Sequence, residues 1–120
     1  MPLDQDDAAL LWDMLVAGQE ALSFVAGRTW EQYAADRVLQ RAMERQIEII
    51  GEAARGISRA FQDDHPEIPW SGIIGQRHVL AHDYGEIVQE RLWEIVTVHV
   101  PPLIERLRII LPDAPPGDTS

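Results

Sequence analysis

The stretch VLQRAMERQIEIIGEAARGISRAF, residues 38–61, decides the fold of this 120-residue chain. Apolar side chains recur in it at steps of three and four, the spacing of one helix face. They are Leu39, Met43, Ile47, Ile50, Ala54, Ile57 and Phe61. A second row widens the stripe with Val38, Ala42, Ile49 and Ala53. The pattern predicts one long amphipathic helix, N-capped at Thr29, whose double stripe also supplies a dimer interface.

Charged residues occupy about half of the remaining positions of this predicted helix. Arginines alternate with glutamates there, namely Arg37, Arg41, Arg45, Arg55 and Arg59 with Glu44, Glu48 and Glu52. The simpler interpretation is a solvated face with ion pairs at i,i+4 spacing. The alternative is that some of the arginines face a phosphate-bearing ligand.

Three further helices are predicted by the same periodicity. The first begins at Asp4 to Asp7 and stops at Gly27, a glycine that can adopt positive φ. A loop over residues 62–69, in which His65 is expected to be exposed, precedes a third helix from about Trp70. A fourth helix runs from Glu90 and is kinked at Pro101-Pro102. With no strand signal, the sequence predicts one all-α, up-and-down bundle over residues 1–111 and a disordered tail over 112–120.

Composition narrows the functional class. Apolar residues make up 46% and charged residues 25% of the chain, the balance of a soluble globular protein. The absence of cysteine excludes disulfides, thiolate nucleophiles and cysteine-based zinc sites. No apolar run approaches the ~20 residues that span a membrane, and the acidic N-terminus is unlike a signal peptide. The predicted location is therefore cytoplasmic.

The net charge is −10, and all ten basic residues are arginine. A nucleic-acid-binding protein normally presents a basic surface, so this charge argues against such a role unless arginines cluster locally. The acidic surplus could instead be a docking surface for a basic partner.

The side chains suited to catalysis or ligand binding lie together in the stretch RHVLAHDY, residues 77–84. On an α-helix His78 and His82 share a face, whereas Arg77 and His82 diverge by about 140°. Arg77 and His82 can therefore act on one small target only if the helix ends near Ala81 or a second subunit completes the site.

Metal-independent RNA cleavage is one chemistry that this stretch could perform. His82 suits proton transfer, and the guanidinium of Arg77 suits a phosphate. His78 and Tyr84 could orient the phosphate or the imidazole.

Two alternatives use the same residues. His78 and His82 could hold a metal ion with Asp83 or His99, although the stretch lacks the glutamate of HExxH hydrolases. In the structural alternative, both histidines make their hydrogen bonds within the helical bundle, Arg77 pairs with an acid, and Tyr84 packs in the core.

The spacing of Arg77, His82 and Tyr84 matches the RX4HXY motif of the HepT family of HEPN-domain toxins. Further similarity covers roughly residues 35–111: residues 51–54, 65–70 and 74–75, Trp93, and Pro101-Pro102. The chain therefore resembles this family, which implies a HEPN-type antiparallel bundle of four to five helices. The resemblance also implies a homodimer in which both motifs line one cleft.

The resemblance implies an endoribonuclease that uses neither metal nor cofactor. Arg77 and His82 would be catalytic, and His78, Asp83 and Tyr84 would bind or orient the RNA substrate. The implied partner is an MNT-type nucleotidyltransferase antitoxin, which transfers AMP from ATP to Tyr84. One departure is Val88 after Ile87, where many relatives carry an acid; it concerns the local turn rather than the motif.

Two functional hypotheses follow. The first is an RNase toxin of a toxin–antitoxin pair, silenced by AMP transfer to Tyr84. The second is a non-catalytic HEPN subunit of a nucleotidyltransferase complex, in which the motif only docks the partner or its nucleotide. The intact motif favours the first hypothesis, and the missing basic patch favours the second.

Overall fold

The computed structural model describes residues 3–75 and 86–111, without the side chains of residues 86 and 87. Its elements are α1 (Gln5–Val25), α2 (Trp30–Ala34), α3 (Arg37–Gly56), α4 (Arg59–Asp64), α5 (residues 70–75), α6 (Glu86–Glu94), a π-helical turn (Ile95–His99) and α7 (Val100–Ile110). These described ranges contain no strand. The predicted all-α bundle is confirmed.

The ends of α1 follow from local capping. The carboxylate of Asp4 accepts hydrogen bonds from the backbone N–H groups of Asp6 at 2.8 Å and Asp7 at 3.2 Å. These bonds satisfy donors that the first helical turn leaves unpaired. After the helix ends, Gly27 has a φ of 72°. Both predicted boundaries of α1 are confirmed.

α1 is also long and apolar enough to cross a membrane, with a mean hydropathy of 1.3 over its most apolar window. The expectation that no segment of this chain reaches that length and hydropathy was wrong. Its packing is nevertheless that of a core helix, because Leu11, Met14 and Ala21 are buried in the bundle and α1 contacts α3 and α7. The buried carboxylate of Asp7 accepts hydrogen bonds from the backbone N–H of Ser58 at 2.8 Å and from its hydroxyl at 2.6 Å. α1 therefore packs as a core helix of the bundle.

The long second helix of the prediction is divided into α2, α3 and α4. Thr29 does cap α2, in a capping box with Gln32. The chain leaves the helix after Ala34, and Asp36 caps α3 by accepting a hydrogen bond from the N–H of Leu39 at 3.0 Å. Ser58 caps α4 in the same way. The prediction was wrong because short polar side chains restart the helix while the apolar stripe continues across the breaks.

Two other boundaries differ from prediction. The loop predicted over residues 62–69 is shorter, since α4 continues to Asp64. The last helical segment begins by Glu86 rather than at Glu90.

The proline pair lies in the middle of the last helical segment. Pro101 and Pro102 occupy the first turn of α7, where missing N–H groups cost least. Immediately before them the helix widens into the π turn, and the N–H of Val100 donates to the carbonyl of Ile95, five residues back. The hydroxyl of Thr97 donates to the carbonyl of Trp93 at 2.8 Å. The helix therefore passes through the prolines by lengthening one turn.

The core is formed by α1, α3 and the segment from α6 to α7. Among the described residues, the large aliphatic side chains with no solvent exposure are Leu11, Met14, Met43, Leu92, Val96 and Leu107. The single domain over residues 1–111 remains a prediction. So does the disordered tail over residues 112–120, which lies outside the described residues.

Candidate functional site

All five residues of the predicted site, Arg77, His78, His82, Asp83 and Tyr84, lie outside the described residues. The structure instead describes the helices that flank these residues in the sequence, α5 before them and α6 after them. The contacts of these segments show how the fold holds the two ends of the motif stretch.

α5 is fastened where it begins. Trp70 is buried, and its indole N–H donates to the carbonyl of His65 at 2.9 Å. The N–H of Ile73 donates to the carbonyl of Pro69 at 3.0 Å, which starts the helical hydrogen-bonding pattern. A hydrogen-bonded, buried indole fixes both position and rotation of the first turn.

Gly51 lets α5 approach α3 closely. A Cβ atom at this position would lie 3.4 Å from the backbone carbonyl oxygen of Ile73. Because glycine has no side chain, the two backbones can come together here without an intervening layer. This close approach places the described end of α5 directly on α3.

α6 is fastened to α3 by polar groups. Gln89 is buried, and its amide oxygen accepts a hydrogen bond from the hydroxyl of Tyr33 at 2.5 Å. Its amide nitrogen donates to the carboxylate of Glu44 at 2.9 Å. Arg41 completes the network by donating to both carboxylate oxygens of Glu44, at 3.1 and 3.2 Å. The chain of bonds thus runs from a phenol through an amide to an ion pair.

Burial of Tyr33 raises the pKa of its hydroxyl above the usual range, and the negative charge of Glu44 raises it further. The phenol is therefore a permanent donor to Gln89 near neutral pH. Trp30 and Trp93 pack around the Tyr33 ring, with centroid distances of 5.9 and 5.4 Å. Sequence reasoning missed this network because Tyr33 and Gln89 are 56 residues apart and no local pattern relates them.

We call the contact of Gly51 with α5 and the contact of Glu44 with Gln89 the two anchors. Both lie on the same side of α3. Glu44 and Gly51 are seven residues apart, so they lie two turns apart on one face, separated by about 10 Å along the axis. The described segments on either side of the motif stretch, α5 and α6, therefore both contact this one face of α3.

The arginines of α3 and α4 support the simpler of the two interpretations. Arg41 pairs with Glu44 at 3.1 Å, Arg45 with Glu48 at 3.7 Å, and Arg59 with Asp63 at 3.7 Å. Two of the three pairs have i,i+3 spacing rather than the expected i,i+4. The arginine side chains are mostly exposed, which is typical of a solvated, paired face.

His65 is more structured than expected. Its ring stacks on Phe61 at a centroid distance of 4.3 Å, and its Nδ1 lies 2.9 Å from a carboxylate oxygen of Glu67. Only 29% of its side chain is exposed, so the expectation of a merely exposed histidine was wrong. The hydrogen bond from His65 is the main reason that the pKa of Glu67 is lowered, and the positive charge of Arg106 lowers it slightly more.

The metal-site alternative concerned His78, His82 and Asp83, which lie outside the described residues, and His99, which is exposed on the π turn. Within residues 3–75 and 86–111, no group of three or more potential ligands could hold a metal ion.

Comparison with known proteins identifies the class of this bundle. The sequence profile of the family described as "Ribonuclease HepT-like" matches residues 14–110. The chain therefore belongs to the HepT-like ribonuclease family, and the resemblance inferred from the motif is confirmed.

Individual relatives agree with this assignment. A Methanocaldococcus jannaschii protein named "Putative RNase MJ1380" is 31% identical over 106 residues, covering 88% of this chain and 97% of the relative. A Thermococcus cleftensis protein named "Probable ribonuclease HepT" is 38% identical over 82 residues, covering 66% of this chain and 74% of the relative. No solved structure matches.

Proposed function

We propose that this chain is the toxin of a cytoplasmic toxin–antitoxin pair, a metal-independent endoribonuclease that acts as a homodimer. The observation that carries the proposal is the family match over residues 14–110, which includes the stretch with Arg77, His82 and Tyr84 in motif order. Two rigid anchors on α3 hold the segments on either side of that stretch, as an active site on a small bundle requires.

The proposed reaction is attack of a ribose 2′-oxygen on the adjacent phosphorus. The 2′-oxygen–phosphorus bond forms, the bond to the 5′-oxygen breaks, and a 2′,3′-cyclic phosphate remains. His82 takes or supplies one of the two protons that move, and Arg77 stabilises the charge on the phosphoryl oxygens. His78 and Asp83 orient the RNA. A second copy of the motif supplies the complementary acid or base.

An apolar surface on α3 supports the dimer. Val38 is 82% exposed, and two residues on the same face, Ala42 one turn away and Ile49 about three turns away, are half-buried. Exposed apolar side chains that line one helix face are typical of a surface covered by a partner. A second copy of this chain would bury them.

AMP transfer to Tyr84 is the proposed means of control. The phenol oxygen of Tyr84 would attack the α-phosphorus of ATP, with release of pyrophosphate, on an MNT-type nucleotidyltransferase antitoxin. The attached anion, two residues from His82, would compete with RNA for Arg77.

The net charge of −10 favours a second candidate, a non-catalytic binding subunit of a nucleotidyltransferase complex. Glutamates already pair with Arg41 and Arg45, which reduces the positive potential that α3 could offer to RNA.

RNA cleavage in EDTA distinguishes the two candidates. The wild type, shown by mass spectrometry to carry no AMP on Tyr84, should cut RNA and leave 2′,3′-cyclic ends. His82→Ala and Arg77→Ala should each lose about 10²-fold or more of that activity, as removal of a general acid–base group or phosphate ligand does.

The matched control is Arg91→Ala, which replaces an exposed arginine of α6. This control should cleave RNA at the wild-type rate. No cleavage by unmodified wild type would favour the binding-subunit candidate, and full activity in His82→Ala would remove His82 from the mechanism.

A further inference from the structure

A cavity of about 250 Å³ lies among α3, the loop before α5, α5 itself and the segment from the π turn to α7. Five isoleucines line it: Ile47, Ile50, Ile68, Ile73 and Ile95. Ile47, Ile50 and Ile68 are buried, so the inner part of the cavity is apolar. A small, mostly apolar concavity with a few polar groups is the usual form of a ligand site.

The π turn contributes to the cavity wall. Ile95 and His99, its first and last residues, both line the cavity, and so does Pro102 just after it. A π turn inserted into an α-helix is uncommon and is often found at functional sites. In this chain it places an apolar and a polar side chain of one turn on the same cavity.

Three polar side chains belong to the cavity lining, namely Glu67, His99 and Arg106, and all three residues are exposed. The carboxylate of Glu67 accepts hydrogen bonds, the guanidinium of Arg106 donates them, and the imidazole of His99 can do either. His65 orients the carboxylate through the 2.9 Å bond. These groups can hydrogen-bond to a flat heterocycle with donors and acceptors on its edge, whose faces would contact the isoleucines.

The cavity is close to the predicted catalytic stretch. Ile73 lines it and precedes Arg77 by four residues. Whatever path the chain takes, four residues span at most about 14 Å. A ligand group in the cavity is therefore within a short distance of a phosphate bound at Arg77.

We propose that this cavity is a nucleobase subsite, which holds an unstacked base of the RNA strand beside the phosphate to be cut. RNA-binding proteins commonly hold single-stranded bases between apolar side chains and read their edges by hydrogen bonds. The proposal rests on the proposed ribonuclease function for the identity of the ligand. Glu67 and Arg106 are the residues that read the base edge.

Methyl NMR of the full chain, labelled at the isoleucine δ1 carbons, tests the subsite directly. Titration with the four nucleoside 5′-monophosphates should move the signals of the cavity isoleucines saturably, with different affinities for different bases. Ribose 5-phosphate, which has the same sugar and phosphate without a base, should leave them unmoved. Ile57, Ile104 and Ile110, which do not line the cavity, are internal references.

Two outcomes of this titration would overturn the proposal. One is equal shifts with ribose 5-phosphate, or no shift with any nucleotide. The other is that the methyl signals of the cavity isoleucines move with protein concentration and not with nucleotide concentration. That result would mean that a second copy of the chain binds at the cavity.

Variants connect the subsite to cleavage. Arg106→Met should weaken nucleotide binding about tenfold, because a hydrogen bond to a charged group is lost. Arg108→Met, an exposed arginine on the same helix that does not line the cavity, should bind nucleotides like the wild type. Ile95→Trp, which fills the cavity from a half-buried position, should abolish the nucleotide shifts.

Sequencing of the cleavage ends then tests the substrate role. Arg106→Met should alter base preference next to the cut, and Arg108→Met should not. An unchanged preference in Arg106→Met and in Ile95→Trp would overturn the subsite. Absence of cleavage by the wild type would instead refute the ribonuclease proposal, and the methyl titration would still decide whether the cavity binds a base.

Discussion

The two anchors on α3 hold the motif stretch by different physical means. At Glu44 the contact is a polar network, in which Gln89 joins a buried phenol to a carboxylate. At Gly51 the contact is a close approach of two backbones, made possible by an absent side chain. The polar anchor depends on every partner being present, whereas the backbone anchor depends on a space remaining empty. Stability should therefore fall when a polar partner is removed at the first anchor and when a larger side chain is introduced at the second.

The largest effect is expected from Gln89→Leu, which removes the centre of the polar network. It leaves the buried Tyr33 hydroxyl without its acceptor and removes one donor from Glu44, which keeps its bonds to Arg41, so the free energy of unfolding should fall by about 2 kcal/mol. Urea denaturation measures this difference.

Gln19→Leu, at an exposed position of α1, is the matched control and should change stability by less than about 0.5 kcal/mol. Equal stabilities of the two variants would mean that the network contributes nothing as an anchor.

A loss of similar size is expected when the space at Gly51 is filled. Gly51→Leu forces α5 away from α3 and should cost about 2 kcal/mol, as overpacking of a tight contact does. Gly51→Ala should change little, because the gain in helix propensity offsets a Cβ placed 3.4 Å from the Ile73 carbonyl.

Gly72→Ala on α5, where a Cβ meets no described atom within 4 Å, should keep the propensity gain of up to about 1 kcal/mol. Thermal unfolding of the three variants gives the ranking. A Gly51→Ala variant stabilised as much as Gly72→Ala would show that the contact is not tight.

At neutral pH, Tyr33→Phe loses one hydrogen bond and should cost about 1 kcal/mol, less than Gln89→Leu or Gly51→Leu. The alkaline range is more informative, because the chain has no lysine and no cysteine. Burial raises the pKa of Tyr33, so the folded state keeps a proton that the unfolded chain releases above about pH 10. Ionisation of this phenol therefore leaves the free energy of unfolding unchanged below about pH 10 and lowers it at higher pH.

Denaturation at several alkaline pH values measures the slope, which should be about 1.4 kcal/mol per pH unit from this group and absent in Tyr33→Phe. Identical alkaline slopes in the wild type and the variant would contradict a buried, protonated phenol. Tyr84→Phe removes the other tyrosine of the chain and serves as the control.

Local signals were sufficient for part of this fold. The helix start at Asp4 to Asp7, the cap at Thr29 and the stop at Gly27 depend on residues close to each other in sequence, and all three were predicted. Asp36 and Ser58 are local caps too, but they lie within an uninterrupted apolar stripe, and the sequence-based prediction did not identify them. The π turn before Pro101 follows from how the whole helix packs, which a periodic pattern does not contain.

The candidate sites also divide into those formed by residues close in sequence and those formed by distant residues. The motif residues were found from spacing because Arg77, His82 and Tyr84 lie within eight positions of one another. The network of Tyr33, Gln89 and Glu44 joins distant segments, so only the three-dimensional structure reveals it. The isoleucine cavity likewise gathers residues from α3, α5 and the π turn that each look like ordinary core positions.

The proline pair in α7 has a mechanical consequence. Pro101 and Pro102 have no N–H to donate, so the carbonyls of Thr97 and Val98 receive no hydrogen bond from the positions four residues ahead. A helix resists bending through those bonds, and at this point two in succession are missing. We therefore expect the helical rod from α6 to α7 to bend most easily at the π turn, with both helices remaining intact.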